Sequence, residues 1–468
     1  EKEKRTMAML LSSAGPLASA VARRSMISAP RACIRAPIHS LLHSPVSKIA
    51  RAVETTLARS RHAKANARGL SSSSSVPPNV DKGVAYWLLG TGGLVAGMVT
   101  IGGLTRLTKS GLSMTDWKVQ GSLPPTTHDA WMVEFERYKL FPEWQQRKSM
   151  TLDEFKYIFY WEWGHRMFGR VVGVAFTGPL IYFAARGRIT PQLRGRMALL
   201  FAMGGSQGLV GWWMVRSGLN EKDGGWVKEG QSREIRVSPY RLASHLCMAF
   251  SIYSLLLYTA FDVLYPKATQ LSLASVPPKI AAKLPALRAS AAGTAGVVFV
   301  TAMSGAFVAG NDAGCAFNTW PDMDGQFLPD AAVEGQLTPA WRNFFENTAL
   351  VQFDHRMLAY SSIGAVATTY ALARRGNVWA VLPMPTKVAM NGLVGMVTAQ
   401  AALGISTLLM YVPIELAACH QAGSLVLLSF ATLGAHSLRA VPLAAGAPIA
   451  AAAAGGAMAG GAGMVLSK

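Results

Sequence analysis

Nine histidines occur in the 468-residue chain, and four of them share a setting: His165, His245, His355 and His420 each begin or adjoin an apolar run. A lone imidazole in such a run usually packs as a hydrogen-bonded side chain. Four in matched contexts point instead to ligation. His165 and His245 are 80 residues apart and His355 and His420 are 65 apart, which leaves metal clusters of short ligand spacing unsupported. Two imidazoles on separate helices can face each other across a planar macrocycle. Axial ligation of haem iron by histidine pairs therefore fits the spacing better.

A carboxylate distinguishes one pair from the other. Glu162 precedes His165 by three residues, so in a helix both side chains lie on one face. The matching position before His355 is Gln352. A carboxylate at the edge of a bilayer costs free energy unless it is used or paired. Two readings stand side by side: an ion pair of Glu162 with Arg166, or a carboxylate serving one haem only, by steering protons or stabilising positive charge on a substrate. On the second reading one half is catalytic and the other relays electrons.

Placing these residues requires helices that cross a membrane. Hydrophobic residues make up 51% of the chain and charged residues only 15%, against about 25% charged in soluble domains. Apolar runs near 84–105, 165–185, 196–215, 241–263, 290–310, 351–373, 388–409 and 415–438 are long enough to span a bilayer core of about 30 Å. Their composition excludes a soluble enzyme, a disulfide scaffold and an alternating-strand barrel. The expected fold is an all-α polytopic membrane protein, with eight transmembrane helices in two pseudo-symmetric four-helix bundles.

The bundles follow from an internal repeat. Gly102-Gly103-Leu104 through Ser110-Gly111 to Trp117 aligns without gaps on Gly305-Ala306-Phe307 through Ala313-Gly314 to Trp320. Further on, His165-Arg166-Met167 matches His355-Arg356-Met357, Gln207 and Gly211 match Gln400 and Gly404, and Ala243-Ser244-His245 matches Ala418-Cys419-His420. The implied organisation is a transit peptide at 1–70, a linker at 71–83, a first bundle at 84–264, a matrix linker at 265–289, a second bundle at 290–440 and an Ala/Gly-rich tail at 441–468.

The formal charge of +20 divides unevenly. Residues 1–75 hold thirteen Lys and Arg but only Glu1, Glu3 and Glu54, the composition of an organelle transit peptide. The remainder lacks the charge for a nucleic-acid partner. Loops after the second, fourth and sixth spans carry eleven basic residues and no acid, from Arg186 to Lys387. That bias places them and both termini in the matrix, and the four histidines toward the intermembrane space. The cysteines form no CxxC pair, and Cys247 and Cys419 read as small apolar helix residues.

Several longer motifs, Glu162-Trp163-Gly164-His165-Arg166-Met167, Gly103-Leu104-Thr105-Arg106-Leu107-Thr108, Asp312-Ala313-Gly314 to Asn318-Thr319-Trp320-Pro321 and Asp354-His355-Arg356, resemble those of mitochondrial haem A synthases. The resemblance covers about residues 82–440. It implies oxidation of the C8 methyl group of haem O to the formyl group of haem A, for cytochrome c oxidase assembly in the mitochondrial inner membrane. By position it implies that His165 and His245 hold haem O, that Glu162 is catalytic, and that His355 and His420 ligate a haem b that passes electrons. Arg106 and Arg166 are candidates for haem propionates or for snorkelling to the interface. Implied partners are a farnesyl transferase that makes haem O and an electron donor, with a homo-oligomer left open. Some bacterial relatives carry a cysteine pair in an outer loop; only Cys315 lies in such a loop here, which leaves a disulfide unsupported. The competing readings are a dihaem electron-transfer cytochrome b and a haem carrier that does no chemistry on its haem.

Overall fold

The computed structural model describes residues 80–219, 236–266, 275–334 and 336–441. The transit-peptide and most of the linker and tail assignments fall outside them. Eight long helices run through the described residues: α1 (Lys82–Leu107), α2 (Leu152–Ala185), α3 (Pro191–Leu219), α4 (Pro239–Leu264), α5 (Leu284–Gly310), α6 (Thr348–Arg374), α7 (Met384–Leu409) and α8 (Ile414–Ser437). Among the described residues no strand forms beyond an isolated bridge between Met323 and Gln326. The fold is that of an all-α polytopic membrane protein.

Local chemistry sets the helix starts. The Asp81 side chain accepts from the Gly83 amide to cap α1, and the Asn347 side chain accepts from the Ala349 and Leu350 amides to cap α6. Thr151 and Glu154 form a reciprocal capping box on α2. Proline begins α3 and α4, where its missing amide costs nothing.

Two expectations need correcting. α2 begins at Leu152, not near 165, so His165 lies well inside a 34-residue helix instead of opening it. The extra turns carry Asp153, Glu154, Lys156 and Glu162, whose polarity hides them from a hydropathy reading, and they are held by an aromatic cluster. In that cluster Trp131, Phe135 and Tyr138 of the loop helix His128–Lys139 pack on Phe155 and Phe159. Likewise α5 starts at Leu284, inside the stretch expected to be linker. Seven of the long helical segments are apolar enough to cross a membrane; α6, with Asp354, Arg356 and Arg374, has the length but not the mean hydropathy.

Each half is a four-helix unit. In the first, α1 packs on α2 and α4, and α3 on α4; in the second, α5 packs on α6 and α8, and α7 on α8. The halves meet through α4 against α5 and α8, and α1 against α8. Tyr253 of α4 shares a 2.7 Å hydrogen bond with Ser429 of α8 across that seam. The central α4 is the most buried and α3 the least, which leaves α3 facing the surroundings. At the opposite end from the four histidines, Asp262 accepts from Arg196, from Arg439 at 2.9 Å and from His436 at 3.0 Å, joining α3, α4 and α8.

Candidate haem-binding sites

The helix pairing brings every one of the four histidines against a glycine. His165 on α2 lies on Gly102 of α1, and His245 on α4 lies on Gly211 of α3. His355 on α6 lies on Gly305 of α5, and His420 on α8 lies on Gly404 of α7. A Cβ at these glycines would stand only 2.9, 2.9, 3.3 and 3.0 Å from the respective rings. Gly102 and Gly305, and Gly211 and Gly404, are repeat mates, so one contact recurs four times. All four glycines lie in the last turns of their helices, so the imidazoles gather at one end of the bundles.

In the second half the two rings lie close together with their planes crossed. The centroids of His355 and His420 are 6.4 Å apart, with ring planes at 88°. A metal-bound imidazole nitrogen sits about 2.0–2.1 Å from the metal, which puts two rings flanking one ion roughly 6–6.5 Å apart at their centres. The pair therefore fits axial ligation of haem iron. Nδ1 of His420 is buried without a hydrogen-bond partner, and Nδ1 of His355 lies 2.7 Å from Ser304 Oγ. In the first half Gln207 Nε2 lies 3.2 Å from Nδ1 of His245 and donates to its carbonyl at 3.0 Å.

Glu162 is buried, 2% exposed, and three donors converge on its carboxylate. Ser113 Oγ and the Met114 amide each donate to Oε2 at 2.8 Å, and Arg166 donates to Oε1 at 2.5 Å. Arg166 also donates to the Met114 and Asp116 carbonyls, each at 2.8 Å. The acid and the arginine thus fasten the segment after α1 onto α2. Arg106 donates to the Ala309 carbonyl at 2.9 Å and pairs with Asp312 at 3.1 Å, so its guanidinium bridges the two halves.

Three features escaped the sequence reading. Gly102, Gly211, Gly305 and Gly404 stand out as repeat matches, but the sequence does not pair them with the histidines. Nothing in the sequence pairs Ser113 or Met114 with Glu162, because the hydroxyl and the amide reach the acid only through the loop path. Glu143, in the 3-10 turn Pro142–Gln146, is a second buried carboxylate near Glu162. Its Oε2 has no hydrogen-bond partner and its Oε1 lies 3.8 Å from Arg147. Burial, foremost, and Glu162 raise its pKa to about 7, opposed by Arg147, Lys109 and Tyr138.

The sequence has close relatives. The COX15-CtaA family, cytochrome oxidase assembly proteins, matches residues 85–432. The chain belongs to that family. Heme A synthase COX15 of Arabidopsis thaliana is 44% identical over 403 residues, covering 86% of this chain and 84% of the relative. Heme A synthase COX15 of Homo sapiens is 43% identical over 423 residues, covering 88% and 94%. The bacterial Heme A synthase of Parvibaculum lavamentivorans is 42% identical over 357 residues, covering 76% and 94%. Family membership thus spans both repeats and all four histidines.

Proposed function

We propose that this protein is a haem A synthase of the mitochondrial inner membrane, oxidising the C8 methyl group of haem O to the formyl group of haem A. The observation that carries the reading is the pair of unequal sites built on one repeat: four glycine-seated histidines, with the buried acid Glu162 one turn before His165 where the second half has Gln352 one turn before His355. The named relatives, at 42–44% identity, support the same activity.

His165 and His245 bind and orient haem O in the first half. Glu162, one helical turn from His165, places a carboxylate on the haem O side, where it favours positive charge developing on the substrate. Its three donors fix the carboxylate's position and tie the segment after α1 to α2. His355 and His420 hold a haem b, which when bound supplies one-electron chemistry. Arg166 acts through Glu162 and the loop, and Arg106 through Asp312 at the seam. Both termini and the basic loops lie in the matrix, and all eight long helices cross the membrane, α6 shielded by its neighbours in the second half. A farnesyl transferase that makes haem O supplies the substrate, and an external donor supplies electrons.

The test is the pigment that the purified protein carries. Haem O, its alcohol or haem A alongside haem B supports the synthase. Haem B alone in an active membrane preparation overturns it in favour of an electron-transfer cytochrome, and haem A production unchanged by Glu162→Gln favours a carrier.

A further inference from the structure

The repeat is broken at one position that touches an imidazole. Ser304 Oγ donates to the Thr301 carbonyl at 2.7 Å and lies 2.7 Å from Nδ1 of His355. Its only proton is committed to the carbonyl, so the hydroxyl oxygen accepts and His355 Nδ1 carries the hydrogen. That fixes the tautomer: Nε2 is left unprotonated and free to ligate. The repeat mate of Ser304, adjoining Gly102 as Ser304 adjoins Gly305, is Ile101. An aliphatic side chain offers no acceptor, and among the described residues the His165 ring makes no hydrogen bond. The rings also sit differently. His165 turns Nε2 toward Gly102, whereas His355 turns Cε1 toward Gly305.

We infer that Ser304 is a positioning residue that locks His355 as a permanent ligand, and that Ile101 in its place leaves His165 unlocked so that its haem can exchange. The inference rests on the ligand assignment of the preceding section. Its physical basis is ligand basicity. A hydrogen bond accepted from the distal nitrogen raises the donor strength of the other and orients the ring, and losing such a partner typically weakens metal binding about 10–100-fold. A resident electron relay needs a ligand that stays. A substrate that must leave as product needs one that can let go.

The full-length protein, purified with its haem, carries the test. Ser304→Ala should speed transfer of haem b to excess apomyoglobin by roughly 10–100-fold. It should also raise the potential of the b-type centre, by about 59 mV for each tenfold loss of ferric over ferrous binding. Ser304→Thr, which keeps the hydroxyl, should restore both. Ile101→Ser should slow transfer of the haem from the first half by a similar factor. If Ser304→Ala does not accumulate, Ser304→Cys, a weaker acceptor, should give the same shifts in smaller measure. Unchanged transfer rate and potential in Ser304→Ala, with the b-type signal lost in His355→Ala, would overturn the lock alone. A b-type signal that survives His355→Ala would instead overturn the ligand assignment beneath it.

Discussion

Glu162 and Gln352 occupy one position in the two repeats and hold their loops with opposite polarity. Glu162 accepts from Ser113 Oγ and the Met114 amide. Gln352 donates to the Ala313 carbonyl at 2.8 Å and to the Ala316 carbonyl. Each is met four residues later by an arginine, Arg166 at 2.5 Å and Arg356 at 3.2 Å, and both arginines also bind repeat-matched loop carbonyls, Met114 and Phe317. The scaffold is conserved between the halves while the charge is not.

Glu162→Gln therefore places the second half's residue in the first half. The fold should survive and the charge should not. Aldehyde formation, followed by chromatography of extracted haems, should fall about 10²–10³-fold, as when one transition-state contact is lost. The b-type spectrum should persist.

Alanine at the glycine seats should act locally. Gly404→Ala puts a methyl 3.0 Å from His420 and should lower haem b occupancy, read from reduced-minus-oxidised spectra. Gly102→Ala, 2.9 Å from His165, should spare that spectrum and depress haem O binding. Equal loss of haem b in both variants would contradict separate sites.

Glu143 makes stability depend on pH. Its folded-state pKa is raised from 4.5 to about 7, chiefly by burial, so the folded chain holds this proton more tightly than the unfolded one. The resulting cost is absent below about pH 4.5, grows as pH rises, and is complete above about pH 7. Glu143→Gln should raise Tm by several degrees at pH 8 and leave it nearly unchanged at pH 4.5. An equal shift at both pH values would rule this linkage out.

Asp262→Asn should destabilise without touching the haem sites. It removes the buried carboxylate that faces Arg196, Arg439 and His436, leaving two half-buried guanidinium groups without their counter-ion at a cost of about 1–3 kcal/mol. Thermal inactivation should speed up, while spectra recorded before heating match the parent protein.

Much of this architecture is legible in residues alone, because lipid demands long apolar runs and duplication copies them. The eight helices lie within a few residues of their apolar runs except where polarity masks helix, as in 152–164 and 284–289. The four histidines and the Glu162–Gln352 difference are equally visible, as are both partners in the Glu162–Arg166 ion pair. Contacts that depend on the path of a loop are not. Ser113 reaching Glu162 and Glu143 folding inward follow no periodicity that a linear reading can detect.

Where each imidazole rests on bare backbone, the least reactive residue of a helix sets the tolerance of the most reactive one. Gly102, Gly211, Gly305 and Gly404 offer no functional group, yet a single added carbon would displace the ring at Gly102 or Gly211 and crowd it at Gly305 or Gly404. Variation that disables such a protein need not alter any group that reacts; it can arise where there is no side chain to alter.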